Sequence, residues 1–310
     1  MLLKVSNFEL QTNFAKLEFV QKYESNETEN FPSPPIKKDV LPPNVPPVSP
    51  DNPPWNSLTA VGVWLASIFF IIVVPNFLLI PYIFFNGGFS NAARLLENIQ
   101  SNSTAILLSI IGVIPAHILT LLLAWLVVTN RQKISFRETL GWQWNGFNVW
   151  TCLAIVAGFF VLAVVASNYF PQEENELLRI LKSSRTAVYI IAFLATFTAP
   201  LVEEVVYRGV LYSAFQKTLG VPAAVALVTF LFALVHVPQY YPSYSTIFLI
   251  CLLSLVLTLV RVRTKNLLPC IALHTVFNGS QSLLLIFQPY VEKYIENHQS
   301  PAASIIHFFK

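Results

Sequence analysis

Seven stretches of this chain are too long and too apolar for a water-soluble fold: about 59–85, 104–128, 148–169, 187–215, 221–238, 245–262 and 267–287. A helix needs about 20 apolar residues to cross a hydrocarbon core of about 30 Å. Lipid offers no water to backbone N–H and C=O groups, so each stretch must satisfy them internally, as a helix. The expected fold class is therefore all-α, a polytopic transmembrane helical bundle of about seven spans with the lipid bilayer as its solvent. Composition agrees: 55% of the residues are hydrophobic and 11% are charged, against about 25% charged in soluble domains. The net charge is only +3, and no basic stretch interleaved with aromatics appears, which argues against nucleic acid as a partner.

Around these spans the chain divides by composition. Residues 1–31 form a mixed N-terminal segment in which Leu10, Phe14 and Leu17 have the spacing of a short amphipathic helix. No apolar h-region follows Met1–Val5, so a signal peptide is not expected. Residues 32–55 are a proline-rich linker, expected to be extended and semi-rigid. Residues 59–170 hold the N-terminal transmembrane helices and 187–287 the remaining four spans. Residues 288–310 are expected to form an interfacial tail, with Tyr290, Tyr294, Phe308 and Phe309 near polar groups. Cys152, Cys251 and Cys270 all lie in apolar runs without metal-ligand spacing and read as small packing residues.

The sequence reading places the exceptional ionisable groups of the spans late in the chain. Span four carries Glu203, Glu204 and Arg208, span five ends near His236, and span seven carries His274 and Asn278. A charge at mid-bilayer costs about 2.5–3.5 kcal/mol on insertion scales, so function is the default reading for such residues. Glu204 and Arg208, four apart, face each other on a helix and neutralise one another. Glu203 lies about 100° around that helix and is left without a local counter-charge. Phe232 and His236 share one face by the same spacing, as do His274 and Asn278. At about 1.5 Å per residue, Glu203, His236, His274 and Asn278 fall at comparable depths. Antiparallel packing would bring a carboxylate, two imidazoles and an amide into one polar cavity. Those are the parts for water-mediated attack on a carbonyl. Glu203, His236 and His274 are equally a zinc-type ligand set, although no His-Glu-x-x-His motif is present.

In order, EEVVYR at 203–208, FALVH at 232–236 and HTVFN at 274–278 resemble the CAAX protease and bacteriocin-processing (Abi) family, most closely its type II CAAX prenyl endopeptidases. That family's pattern is Glu-Glu-x-x-x-Arg, Phe-x-x-x-His and His-x-x-x-Asn or Asp on successive membrane helices. The resemblance covers roughly 187–287 and departs at no motif position. It implies an intramembrane endopeptidase with an all-helical core. Glu203 would be the general base, and His236 would help hold the attacking water. His274 and Asn278 would polarise the carbonyl, with Glu204, Arg208 and Phe232 in support. The substrate would be a membrane-associated protein or peptide, lipidated in the case that names the family. Family members are often described as metalloproteases. The resemblance therefore leaves open a divalent metal such as zinc on Glu203, His236 and His274, or a metal-free water mechanism. A different class of reading needs no enzyme: a membrane immunity or scaffold protein, or a proton-coupled transporter relaying charge through buried Glu and His. A transporter favours inverted repeats, and no internal repeat is found; a scaffold has no need of Glu203, His236 and His274 together.

Orientation follows from basic residues. Lys37 and Lys38 precede span one; Arg131, Lys133 and Arg137 follow span two; Lys217 follows span four; Arg261, Arg263 and Lys265 follow span six. With alternating spans these segments share one side, which the positive-inside rule makes cytoplasmic. The expected location is the plasma membrane, with a cytoplasmic N-terminus and an extracytoplasmic C-terminus. A reporter fused after Lys310 should accordingly be active only in its extracytoplasmic form; activity confined to the cytoplasm would overturn the seven-span alternation.

Overall fold

The structure, a computed structural model, describes residues 48–97, 102–170 and 174–298. The expected amphipathic helix near Leu10–Leu17, most of the proline-rich linker and residues 299–310 of the tail lie outside the described residues. The described chain is helical, with no strand beyond a single Ser49–Asn52 bridge. Seven helices are long and apolar enough to cross a membrane: Ser57–Asn86, Ser103–Val128, Val149–Ala166, Arg185–Leu219, Val221–Tyr240, Tyr244–Thr264 and Leu268–Tyr294. These are the seven expected stretches, each within a few residues except at the first and the last: the first helix runs on to Glu97, and the last runs on to His298 through residues assigned to the tail. Pro289 is accommodated inside it. This is an integral membrane protein.

Burial is distributed as lipid demands. Phe69, Phe77, Leu122, Phe230, Phe248 and Leu283 are all more than half exposed on span surfaces. By contrast Glu204, Arg208, Ser254, Thr258 and Arg261 are fully buried. Lipid-facing apolar side chains lose nothing by exposure to hydrocarbon, whereas polar groups must find partners inside the bundle.

Span two is broken at Gly112 into helices Ser103–Ile111 and Val113–Val128. At that break it crosses span one so closely that a Cβ on Gly112 would lie 2.6 Å from the Pro75 Cα. Small residues permit such close backbone approach in membrane bundles. Span four contains two π-helical turns, Leu194–Thr198 and Val205–Leu211, flanking the short α-helix Ala199–Glu204. Pro200 accounts for the first. It has no N–H to give and its ring clashes with an α-helical carbonyl four residues back, so the chain widens by one residue ahead of it. The Ala199 N–H accordingly bonds to the Leu194 carbonyl.

The segment before span one is built into the bundle. The fully buried Arg261 donates to the Pro50 carbonyl at 2.7 Å, and its guanidinium lies 3.5 Å from the Asp51 carboxylate. Asp51 also accepts from Gln216 and pairs with Lys265; Lys217 donates to the Pro53 carbonyl; the Trp55 indole donates to the Val210 carbonyl. After span two, the Gly141 carbonyl accepts from Leu267 just past span six. The segments before span one and after spans two, four and six thus meet at one end of the bundle, as alternation requires.

Gly112→Val should lower the melting midpoint in detergent, reflecting a loss of about 1–3 kcal/mol from overpacking against Pro75. An unchanged midpoint would mean that spans one and two do not cross there.

Candidate active site

The second π-turn begins within the Glu-Glu-x-x-x-Arg motif, and the Glu204–Arg208 pairing survives it. Arg208 Nη1 donates to Glu204 Oε1 at 2.8 Å, with both side chains fully buried. The rest of the guanidinium is bound by span six. Nη2 donates to the Ser254 carbonyl at 3.0 Å and to Ser254 Oγ at 2.8 Å, and Nε donates to Thr258 Oγ1 at 3.3 Å. The guanidinium carbon also lies 4.7 Å from the Phe232 ring centroid, a cation–π distance. A buried ion is tolerated only when its donors are satisfied in this way.

Glu204 Oε1 takes a second bond. His274 Nδ1 lies 2.8 Å from it, so Nδ1 carries the proton and donates. The other ring nitrogen, Nε2, is 3.8 Å from Glu203 Oε2. That is too long for a direct hydrogen bond. The imidazole therefore stands between the two carboxylates, anchored to one and facing the other. The carboxylates differ sharply in surroundings: the Glu204 side chain is 0% exposed and Glu203 25%. Among the described residues Glu203 forms no salt bridge with Arg208.

His236 and Asn278 reach this cluster differently. His236 Nδ1 is 2.7 Å from the Phe232 carbonyl, which can only accept, so Nδ1 holds the proton and Nε2 keeps a lone pair. Its ring packs on Phe232 with centroids 4.6 Å apart, and Phe232 meets His274 edge-on at 6.2 Å. Phe232, 2% exposed, is the apolar hub that sets both imidazoles and the guanidinium about one ring. Asn278 Nδ2 donates to the Ala195 carbonyl at 2.8 Å. In the π-turn that carbonyl would look to residue 200 for a donor, and Pro200 has none. Asn278 supplies the missing N–H and ties span seven to the turn ahead of Glu203. Its second N–H and its Oδ1 take no part in that bond.

The structure thus brings Glu203, Glu204, Arg208, Phe232 and His274 into one contiguous cluster, with His236 joined through Phe232 and Asn278 through the neighbouring turn. Among the described residues no three His, Cys, Asp or Glu side chains are grouped to hold a metal ion. Glu203, His236 and His274 do not form such a group in this arrangement.

Several participants escaped the sequence reading. Ser254 and Thr258 look unremarkable in an apolar span, yet they bind Arg208. Tyr207 accepts from the Trp64 indole at 3.0 Å and meets Phe232 edge-on at 5.0 Å. Tyr207 and Tyr240 both lie within reach of the Glu203 charge. So does His117 of span two, whose Nδ1 is 3.0 Å from Thr198 Oγ1. The ionisable groups are therefore not confined to the late spans. His117 is the one ionisable residue of span two, and that isolation was the signal available in the sequence.

Arg208→Ala should lower folded yield and melting temperature, because Glu204 would be left buried with only His274 as partner. Removing one member of a buried pair costs about 3–5 kcal/mol. A variant that inserts and melts like the parent protein would show that the pair carries no structural weight.

Comparison with known proteins agrees with the motifs. Searches of curated proteins and of solved structures find no match. Residues 185–280 match a family model, and they contain the whole cluster apart from the contributions of spans one and two. Over that stretch the chain is similar to the Rce1-like family of type II CAAX prenyl endopeptidases, the branch that its three motifs resemble.

Proposed function

We propose that this protein is an intramembrane endopeptidase of the CAAX prenyl protease kind. It cleaves membrane-associated protein or peptide substrates, lipidated ones included, from the plasma membrane, with its N-terminus in the cytoplasm. The observation that carries the proposal is the unequal treatment of two adjacent carboxylates. Glu204 is sealed, with one oxygen engaged by both Arg208 and His274. Glu203 is a quarter exposed, unpaired with any arginine or lysine, and faces His274 Nε2. A carboxylate placed so can take a proton from water; a sealed one serves as scaffold.

Each remaining group has a matching task. The His236 tautomer leaves Nε2 free to accept a hydrogen bond from the same water and orient it. As water attacks the scissile carbonyl, Glu203 takes its proton and negative charge develops on the carbonyl oxygen. His274 and the uncommitted Asn278 N–H are the donors for that oxyanion, His274 through Nε2 when that nitrogen is protonated. Collapse of the tetrahedral intermediate breaks the C–N bond, and the proton held by Glu203 passes to the departing amine. Glu204, bonded to His274 Nδ1, fixes the orientation of that ring.

The test is turnover by purified protein in detergent, on quenched peptides with and without a prenylated CAAX-type terminus. Glu203→Gln is nearly isosteric but cannot accept the proton, so it should lower kcat by about 10²–10⁴ with the melting temperature kept. His236→Ala should be comparably impaired, and Asn278→Ala should lose about 10²–10³. Full turnover by Glu203→Gln would overturn the catalytic assignment and favour a scaffold's polar core. Activity lost to a chelator and restored by zinc would instead assign Glu203, His236 and His274 as metal ligands.

A further inference from the structure

Three residues of the π-turn Leu194–Thr198 are bonded from other spans, and the turn leads directly into the helix bearing Glu203. The Ala195 carbonyl accepts from Asn278, and the Thr196 hydroxyl donates to Ser282 Oγ at 3.0 Å; both partners are on span seven. The third bond comes from span two. Thr198 Oγ1 donates its one proton to the Leu194 carbonyl at 3.2 Å. Its oxygen must then accept from His117, 3.0 Å away, which places the proton of that ring on Nδ1. His117 is 9% exposed and lies within reach of the Glu203 charge.

We propose that His117 is a positioning residue for Glu203, acting through Thr198. The turn holds one residue more than an α-helical turn, and each residue accounts for about 100° of rotation. If the turn relaxes, the face that Glu203 occupies rotates away from His274. Asn278 and Ser282 tie the turn only to span seven. His117 provides a second direction of constraint, from the helix on the other side of the turn. An imidazole suits the task because its Nδ1–H reaches a hydroxyl that has already spent its proton. This proposal rests on the peptidase reading, since positioning matters only if Glu203 reacts.

Three substitutions and one labelling measurement test it. Asparagine places an N–H near the position of Nδ1 but has nothing at Nε2; alanine removes both; Thr198→Val removes the acceptor. His117→Ala and Thr198→Val should each lower kcat by about 10²-fold with KM little changed, the scale of loss when a reacting group is misplaced by about 1 Å. His117→Asn should recover most of that loss. The His117→Ala/Thr198→Val double variant should be no worse than the worse single, because both remove one bond. Separately, the maleimide labelling added by an E203C substitution should be faster when combined with His117→Ala than with the parent His117. That readout needs no catalysis. If the parent protein cleaves no peptide, the peptidase reading falls, while accelerated labelling would still support the positioning bond. Unchanged kcat in His117→Ala, or unchanged labelling, would overturn the proposal. So would a His117→Asn as impaired as His117→Ala beside a fully active Thr198→Val, because the imidazole would then act through Nε2. Should His117→Ala fail to fold, His117→Asn and Thr198→Val decide against the parent protein: a nearly active His117→Asn beside an impaired Thr198→Val supports the proposal, and an impaired His117→Asn or a fully active Thr198→Val overturns it.

Discussion

A guanidinium buried among apolar helices sets the terms for everything around it. Arg208 cannot lose its charge, and an unpaired charge in a low-dielectric interior is too costly to keep. Its donors are therefore distributed over fixed partners: Glu204 on its own helix, and Ser254 and Thr258 on span six, with the Phe232 face of span five beside it. Glu204 extends the chain of obligations to His274 on span seven. One side chain thus specifies the mutual arrangement of four helices. Dispersion alone, among faces as greasy as the lipid they displace, specifies much less.

The same network explains how two neighbouring glutamates have different properties. Arg208 and His274 converge on one oxygen of Glu204, which is thereby committed to structure. The next residue back is turned away by the ordinary helical rotation and gains a polar neighbour in His274 Nε2 without gaining a counter-ion. The π-turn ahead of it has a comparable logic. Pro200 removes a donor, a carbonyl is left over, and Asn278 answers it. A local defect in helix bonding becomes the point at which a distant span is attached, as bulged turns often do at working sites.

How far the chain could be read in advance depended on whether a partner lay on the same helix. The seven spans were readable because a bilayer imposes length and apolarity residue by residue. The Glu204–Arg208 pair was readable because four residues make a turn. The leftover status of Glu203 followed from the same arithmetic. Ser254 and Thr258 were not readable as partners of Arg208: they are some fifty residues away, and only helix packing says which serine among many is adjacent. Phe232 is legible as the face-mate of His236, but its place beside the guanidinium and both imidazoles lies in what packing brings around it. Pro200 is visible in the sequence as a proline inside a span; its consequence, a freed carbonyl, becomes visible only with Asn278 opposite. His117 lies outside the three motifs, although a lone ionisable residue in an apolar span carries the same functional signal as the later ones.

The basic end of the bundle carries that lesson to the membrane boundary. Arg261 was counted as one of several charges that orient the chain, yet it is fully buried and bonded to Pro50, Asp51 and Ser213. A residue so enclosed makes the end of the proline-rich linker part of the fold rather than a free tether. Lys217, bonded to the Pro53 carbonyl, and the Trp55 indole, bonded to the Val210 carbonyl, extend the attachment along span four. Span one then begins at Ser57 in a fixed place and carries Trp64 to the hydroxyl of Tyr207, which packs against Phe232. The attachment of the linker end and the placement of the ring beneath both imidazoles are therefore joined through contiguous contacts of one span, the physical condition under which a change at one could be felt at the other.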